Sequence, residues 1–184
     1  MTTATLTLAD VVVPRGRLWR DALLVVGFGA LIALASKIAV PLPFTPVPLT
    51  LQTLAVLLAG MVLGAQRGAL SVLCWLGAGL AGVPVFAFGA FTGGYLVGFV
   101  LAAALVGFLA ERRWDRRPLT TVLAMSLGSA VILLCGAAWL SVFVGVKLAI
   151  VQGVLPFLLG DALKIAAATA ALPLAWSRIG RASN

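Results

Sequence analysis

The sequence predicts an all-α membrane protein: six transmembrane helices with N- and C-termini cytoplasmic, plus an irregular Gly/Pro/Phe-rich outer segment between helices 3 and 4. Three observations lead there. Of 184 residues, 62% are hydrophobic and only 10% charged, where a soluble domain averages about 45–50% and about 25%; mean hydropathy is +1.18. That leaves too little polar surface for a globule in water, which excludes a soluble enzyme, a secreted disulfide scaffold and a nucleic-acid-binding domain. A spanning helix takes about 20 apolar residues and a turn, so the chain holds six, at most seven. Finally, the cations sort by position. Arg15, Arg17 and Arg20 precede the first apolar run, Arg67 sits in the second break, Arg112, Arg113, Arg116 and Arg117 crowd the fourth, and Arg178 and Arg181 close the chain. Ten of the 13 Lys and Arg therefore mark every second break, as cytoplasmic loops do. The net charge of +8 is a topology signal, and its partner is the lipid bilayer, with no nucleic acid.

The elements follow in order. Residues 1–20 are a mixed N-terminal cytoplasmic segment, and 21–177 form a single six-helix integral membrane domain. Run one spans Asp21 to Val40. Its basic lead and Ala33-Leu34-Ala35 imitate a signal peptide, but apolarity continues to Val40 and beyond, so the helix is retained. Four prolines between Pro41 and Pro48 forbid further helix and make a stiff, uncharged outer hairpin. Run two, Leu49 to Leu63, turns over Gly64–Gly68 into run three, Ala69 to Leu80. Ala81 to Gly94 is apolar but dense in Gly, Pro and Phe; such non-helical backbone is tolerated at membrane depth where it is buried or lines a cavity. Run four, Gly94 to Ala110, returns through the basic loop Glu111–Pro118 to run five, Leu119 to Phe143. Gly145–Gly153 reads as an outer connection built as a short interfacial helix, and run six covers Val154 to Trp176. Residues 178–184 are a cytoplasmic tail.

Small residues every fourth position let helices approach closely in a bilayer: Gly60, Gly64 and Gly68; Gly94 and Gly98; Gly29 and Ala33. The first two sets read as packing within the chain, and the last as packing or contact with a partner. Cys74 and Cys135 lie inside apolar runs and there is no His, so no metal site is expected.

The intramembrane polar residues are few. Asp161 and Lys164 stand at i and i+3 on one helix face, and each charge alone costs about 2.5–3.5 kcal/mol at the bilayer centre. They are either an ion pair fixing the bundle or a ligand site open to the outer face. Lys37 is expected to snorkel to the outer interface. Gln52 lies at the same level and can hydrogen-bond the pocket or the hairpin. Thr92 and Tyr95 flank Gly93-Gly94 where the irregular segment meets helix four, and Phe86, Phe88 and Phe91 together suit an apolar lid. No phosphate-binding Gly-rich loop precedes a Lys-Ser/Thr, and no nucleophile–base pair is present, so the chain is not expected to be an enzyme. A binding pocket without ATP hydrolysis implies an ion gradient or a partner ATPase.

Three stretches carry a resemblance: Pro41–Gly60 (PLPFTPVPLTLQTLAVLLAG), Thr92–Phe99 (TGGYLVGF) and Leu155–Lys164 (LPFLLGDALK). Together they closely resemble the BioY family, the biotin-specific substrate-binding (S) component of energy-coupling factor transporters, from about Leu23 to Trp176. The resemblance implies a multi-pass protein of the bacterial or archaeal cell (inner) membrane that captures biotin from outside. It implies a transmembrane coupling protein and separate ABC-type ATPases as partners, with biotin as the transported ligand and no resident cofactor. By matching position it implies Asp161 for the ureido N–H groups and Lys164 for the carboxylate or ureido oxygen. Thr92, Gly93, Gly94 and Tyr95 match the ligand segment, Gln52 and Phe86 complete the substrate-binding set, and Gly29 and Ala33 match the surface that docks the coupling protein. One departure is the short Phe88–Phe91 link, where relatives carry a longer insert; it implies a shorter lid. The alternatives are an ion-gradient-driven carrier of a small organic anion, or a structural membrane protein whose Asp161/Lys164 pair only stabilises the bundle.

Overall fold

Helices follow the apolar runs in the computed structural model, which describes residues 7–12, 18–85 and 89–182. In chain order these are α1 (Leu8–Val12), α2 (Leu18–Lys37), β1 (Ala39–Val40), β2 (Leu49–Thr50), α3 (Gln52–Leu63), α4 (Ala65–Leu80), α5 (Gly93–Ala110), α6 (Pro118–Val144), α7 (Val146–Gly153) and α8 (Leu155–Ala182). Among the described residues four stretches are long and apolar enough to cross a membrane: Leu18–Lys37, Ala90–Ala110, Pro118–Val144 and Val146–Ile179. The protein is thus a multi-pass membrane protein. α3 has 12 residues, about 18 Å of helix at 1.5 Å per residue, and reaches its full depth only with the hairpin before it. There the prolines stop the helix, and the chain pairs Ala39 with Thr50 and Val40 with Leu49 in a two-residue antiparallel ladder.

Glycine decides how the helices meet. The reversal expected over residues 64–68 is made by Gly64 alone, at φ 88°, a conformation costly for any residue with a Cβ. Consequently Ala65–Gly68 winds into α4, which starts four residues earlier than run three, and Glu111 accepts a hydrogen bond from the Ala65 N–H at 2.9 Å. A Cβ on Gly68 would lie 2.7 Å from Gly60 Cα, and one on Gly60 would overlap the Ala103 carbonyl. α3, α4 and α5 therefore touch backbone to backbone. Likewise a Cβ on Gly94 would overlap Trp139 Cβ and the Cys135 carbonyl, and one on Gly98 would lie 3.0 Å from Ile132 Cα, which joins α5 to α6. Half of the apolar window of α5 is buried against 17% of that of α2, so α5 is central and α2 peripheral. Trp75, Phe99, Met61 and Met125 fill the core between them.

The basic end is more ordered than composition suggests. α1 is fastened to α4 by Arg67, which pairs with Asp10 at 2.6 Å and Asp21 at 3.0 Å, while Asp10 accepts from the Thr7 N–H and hydroxyl. α2 begins at Leu18, ahead of the expected Asp21. In the α5–α6 loop, buried Asp115 accepts a hydrogen bond from Trp176 Nε1, and the Arg116 guanidinium lies 4.0 Å from the Trp176 ring centre. α8 continues helically to Ala182, into the stretch read as a tail. The connection at 145–153 is α7, and Pro156 fits the first turn of α8, where its missing N–H costs nothing.

Candidate functional site

One narrow pocket gathers most of the predicted polar residues at the hairpin end of the bundle. The hairpin and α3 supply Pro48, Gln52 and Thr53; α5 supplies Thr92, Tyr95 and Phe99; α6 supplies Leu133; α8 supplies Phe157, Asp161 and Lys164. Helical spacing places Asp161 and Lys164 one turn apart on α8, and Lys164 Nζ lies 3.2 Å from Asp161 Oδ1. Both side chains are about nine-tenths buried. Each has a second partner. The Ser129 hydroxyl on α6 donates to Asp161 Oδ2, and Lys164 Nζ donates to Thr53 Oγ1 at 2.6 Å. The pair is self-neutralised and hydrogen-bonded, as burial of charge demands.

Gln52 is different. Its side chain is fully buried, yet neither its amide oxygen nor its amide nitrogen has a hydrogen-bond partner. Each buried unsatisfied polar group costs about 1–3 kcal/mol, so an orphaned amide facing a pocket is a binding group waiting for a partner. The pocket holds only about 30 Å³ of free space, whereas small-molecule sites occupy about 300–1,000 Å³.

The remaining predicted residues separate. Thr92 is buried on the pocket wall and its hydroxyl donates to the Gly89 carbonyl at 2.9 Å. Tyr95 contributes its ring to the wall, 6.3 Å from the Phe157 ring, but its hydroxyl is committed to the Gly153 carbonyl at 2.7 Å. Gly93 and Gly94 do not line the pocket; they pack against Trp139 and let α5 start flush against α6. Phe86 lies outside the described residues. Gly29 and Ala33 lie on the side of α2 that meets α4, where a Cβ on Gly29 would lie 3.2 Å from the Ser71 carbonyl; both also line an open groove between the two helices with Lys37 and Cys74. What α2 turns outward is Leu23, Leu31 and Leu34, with Gly27 open between them. Lys37 does not simply snorkel; it donates to the Pro84 carbonyl at 2.6 Å, tying α2 to the irregular segment. Among the described residues no group of three His, Cys, Asp or Glu could hold a metal ion.

Sequence reasoning missed Ser129 and Thr53. Thr53 sits inside the Pro41–Gly60 motif beside Gln52, which was a usable signal. Ser129 gave a weaker one, since a lone serine in an apolar helix commonly bonds its own backbone.

Comparison with known proteins follows from this geometry. Residues 3–181 match the family model described as the BioY family. A probable biotin transporter BioY of Pyrococcus horikoshii is 40% identical over 158 residues, covering 81% of this chain and 91% of the relative. The biotin transporter BioY of Thermotoga maritima is 39% identical over 77% of this chain and 86% of its own, and that of Rhizobium etli 35% over 79% and 87%. A solved structure, the S-component for biotin from an ECF-type ABC transporter, shares the fold with a TM-score of 0.71 at 24% identity, over 84% of this chain and 89% of that one.

Proposed function

The chain belongs to the BioY family, and from that premise we propose that it captures biotin in the Asp161–Lys164 pocket and delivers it across the membrane as the S-component of an ECF transporter. The orphaned Gln52 amide is the observation that carries this reading. Biotin presents a ureido ring with two N–H donors and one carbonyl acceptor. Asp161 and the Gln52 carbonyl accept the first, and the Gln52 amide N–H or Lys164 donates to the second. The Tyr95, Phe99, Phe157 and Leu133 side chains suit the thiophane ring and the alkyl chain. A pair that only stabilised the bundle would leave Gln52 unexplained.

The reading extends to the whole molecule. Six spans make one membrane domain over 21–177, with 1–20 and 178–184 flanking it on the cytoplasmic side. The pocket uses the starts of α3 and α5, while Arg67 and the 112–117 cluster stand beyond their other ends, which supports an outward-opening site in a cell membrane. ATP hydrolysis belongs to separate ATPases, reached through a coupling protein. Docking of the coupling protein is assigned to Gly29 and Ala33, which line an open groove beside α2, with the outward strip of α2 next to them. Equilibrium binding of tritiated biotin to the purified protein in lipid nanodiscs tests the function. Saturable binding competed by unlabelled biotin is expected; its absence refutes the reading.

A further inference from the structure

The pocket must grow about tenfold to hold a small organic ligand, and its helical walls differ in how readily they can give, whatever the hairpin contributes. The wall between α5 and α6 cannot. Tyr95 is boxed between Gly136, where any Cβ would overlap the ring, and Gly153, where a Cβ would lie 2.6 Å from the hydroxyl. Gly94 and Gly98 press the two backbones together along the same seam. The wall between α6 and α8 is thin. Behind it a groove with about 620 Å³ of free space opens to the lipid side, its rims formed by Ser126 and Ala130 on α6 and by Ala162 and Ala166 on α8. Among the described residues only Leu133 and Asp161 line both spaces. Ser129, at the groove floor, holds Asp161 across the seam.

Resting on the biotin-binding reading above, we propose that the pocket expands through the α6–α8 seam, and that the Ser129–Asp161 hydrogen bond is the latch which ligand binding releases. Asp161 turns its Oδ2 from Ser129 to a ligand N–H. Leu133 then moves out into the groove, and the space it leaves joins the pocket. Ser129 is a positioning residue, holding the carboxylate while the pocket is narrow and making no contact with ligand.

Filling the groove from its lipid side tests this without touching the pocket. Ala130→Phe and Ala166→Phe, each checked for unchanged thermal unfolding, weaken tritiated-biotin binding in nanodiscs by about tenfold or more, the scale of one clashing side chain. Affinity unchanged in both overturns the proposal. A gentler variant, Ala130→Cys, reports the same event: saturating biotin slows its labelling by a membrane-permeant maleimide, measured against the native Cys74 and Cys135, and an unaltered rate is the contrary result. Ser129→Ala removes the latch and raises the association rate by about tenfold, the worth of a hydrogen bond to a charged group; slower association overturns the latch. If the wild-type protein binds no biotin, the functional reading fails instead, so the two failures are distinguishable.

Discussion

Breaking the Asp161–Lys164 pair one partner at a time, and then together, separates its structural from its binding role. At 3.2 Å and an effective dielectric of about 20, two unit charges attract by about 5 kcal/mol. Lys164→Met leaves a carboxylate about 90% buried with only Ser129 for company, and Asp161→Leu leaves an ammonium with only Thr53. Each single change is expected to cost about 3–5 kcal/mol, whereas replacing both by apolar residues of similar volume is expected to be near neutral. For a chain of this size each 1 kcal/mol moves Tm by about 2–4 °C, so each single variant melts roughly 6–20 °C lower and the double variant near wild type. Thermal unfolding in one detergent gives the stability cycle, and tritiated-biotin binding to the same preparations gives the second readout. The double variant should be stable and unable to bind. Wild-type affinity in that variant refutes the site. A double variant as unstable as either single one refutes the accounting of charge burial.

Three further outcomes follow from particular contacts. Gln52→Leu removes a fully buried amide without partners; it should stabilise the fold by about 1–3 kcal/mol and abolish biotin binding, and a lower Tm would contradict the orphaned state of the amide. Gly94→Ala drives a Cβ into Trp139 and the Cys135 carbonyl, for a loss of about 1–3 kcal/mol by overpacking; an unchanged Tm would mean the α5–α6 seam yields. In the basic loop, burial pushes the Asp115 carboxyl above its ordinary 3.8, against the opposing hydrogen bond from Trp176. A proton held more tightly in the folded state contributes stability that is full below pH 3.8 and is lost as pH rises through the raised value. Asp115→Asn, which keeps an acceptor for Trp176, should therefore melt higher than wild type at neutral pH, with the advantage vanishing towards pH 3.8; equal melting at both pH values tells against it.

Legibility in the sequence tracked how local the physics was. Apolar run length set the helices, and the prolines from Pro41 to Pro48 excluded helix from the hairpin because a missing N–H and a fixed φ act without tertiary help; α2 nevertheless ends at Lys37, short of the expected Val40, because Ala39 and Val40 pair with Leu49 and Thr50. Asp161 and Lys164 could be paired because i and i+3 share a helix face whatever surrounds them. Gly93, Gly94 and Gly29 were ambiguous because a glycine is required equally by a ligand or partner and by a neighbouring helix, and the packing against Trp139 and Ser71 emerges only from the fold. The turn at Gly64 was read too long because a single residue at positive φ leaves no compositional trace. Ser129 and Thr53 became visible only when α6 and α3 were brought against α8.

The hydrogen bonding of the site also suggests how it discriminates. Asp161 and Lys164 are already satisfied by Ser129, Thr53 and each other, so a ligand that engages them must first displace existing bonds and gains only the difference. Gln52 gives up nothing, since it has no partner to lose; a hydrogen bond made there recovers the whole desolvation penalty already present in the empty fold. Affinity should therefore draw on the uncharged amide as well as on the pair, and the ion pair adds rejection of ligands that do not match it. A ligand of the right shape that lacks the matching N–H leaves a carboxylate stripped of Ser129 in a dry pocket, the circumstance in which polar sites discriminate far more strongly than apolar ones. The net charge of zero across Asp161 and Lys164 lets such a site persist in a chain with so little polar surface, and the strain of keeping it falls on one uncharged amide.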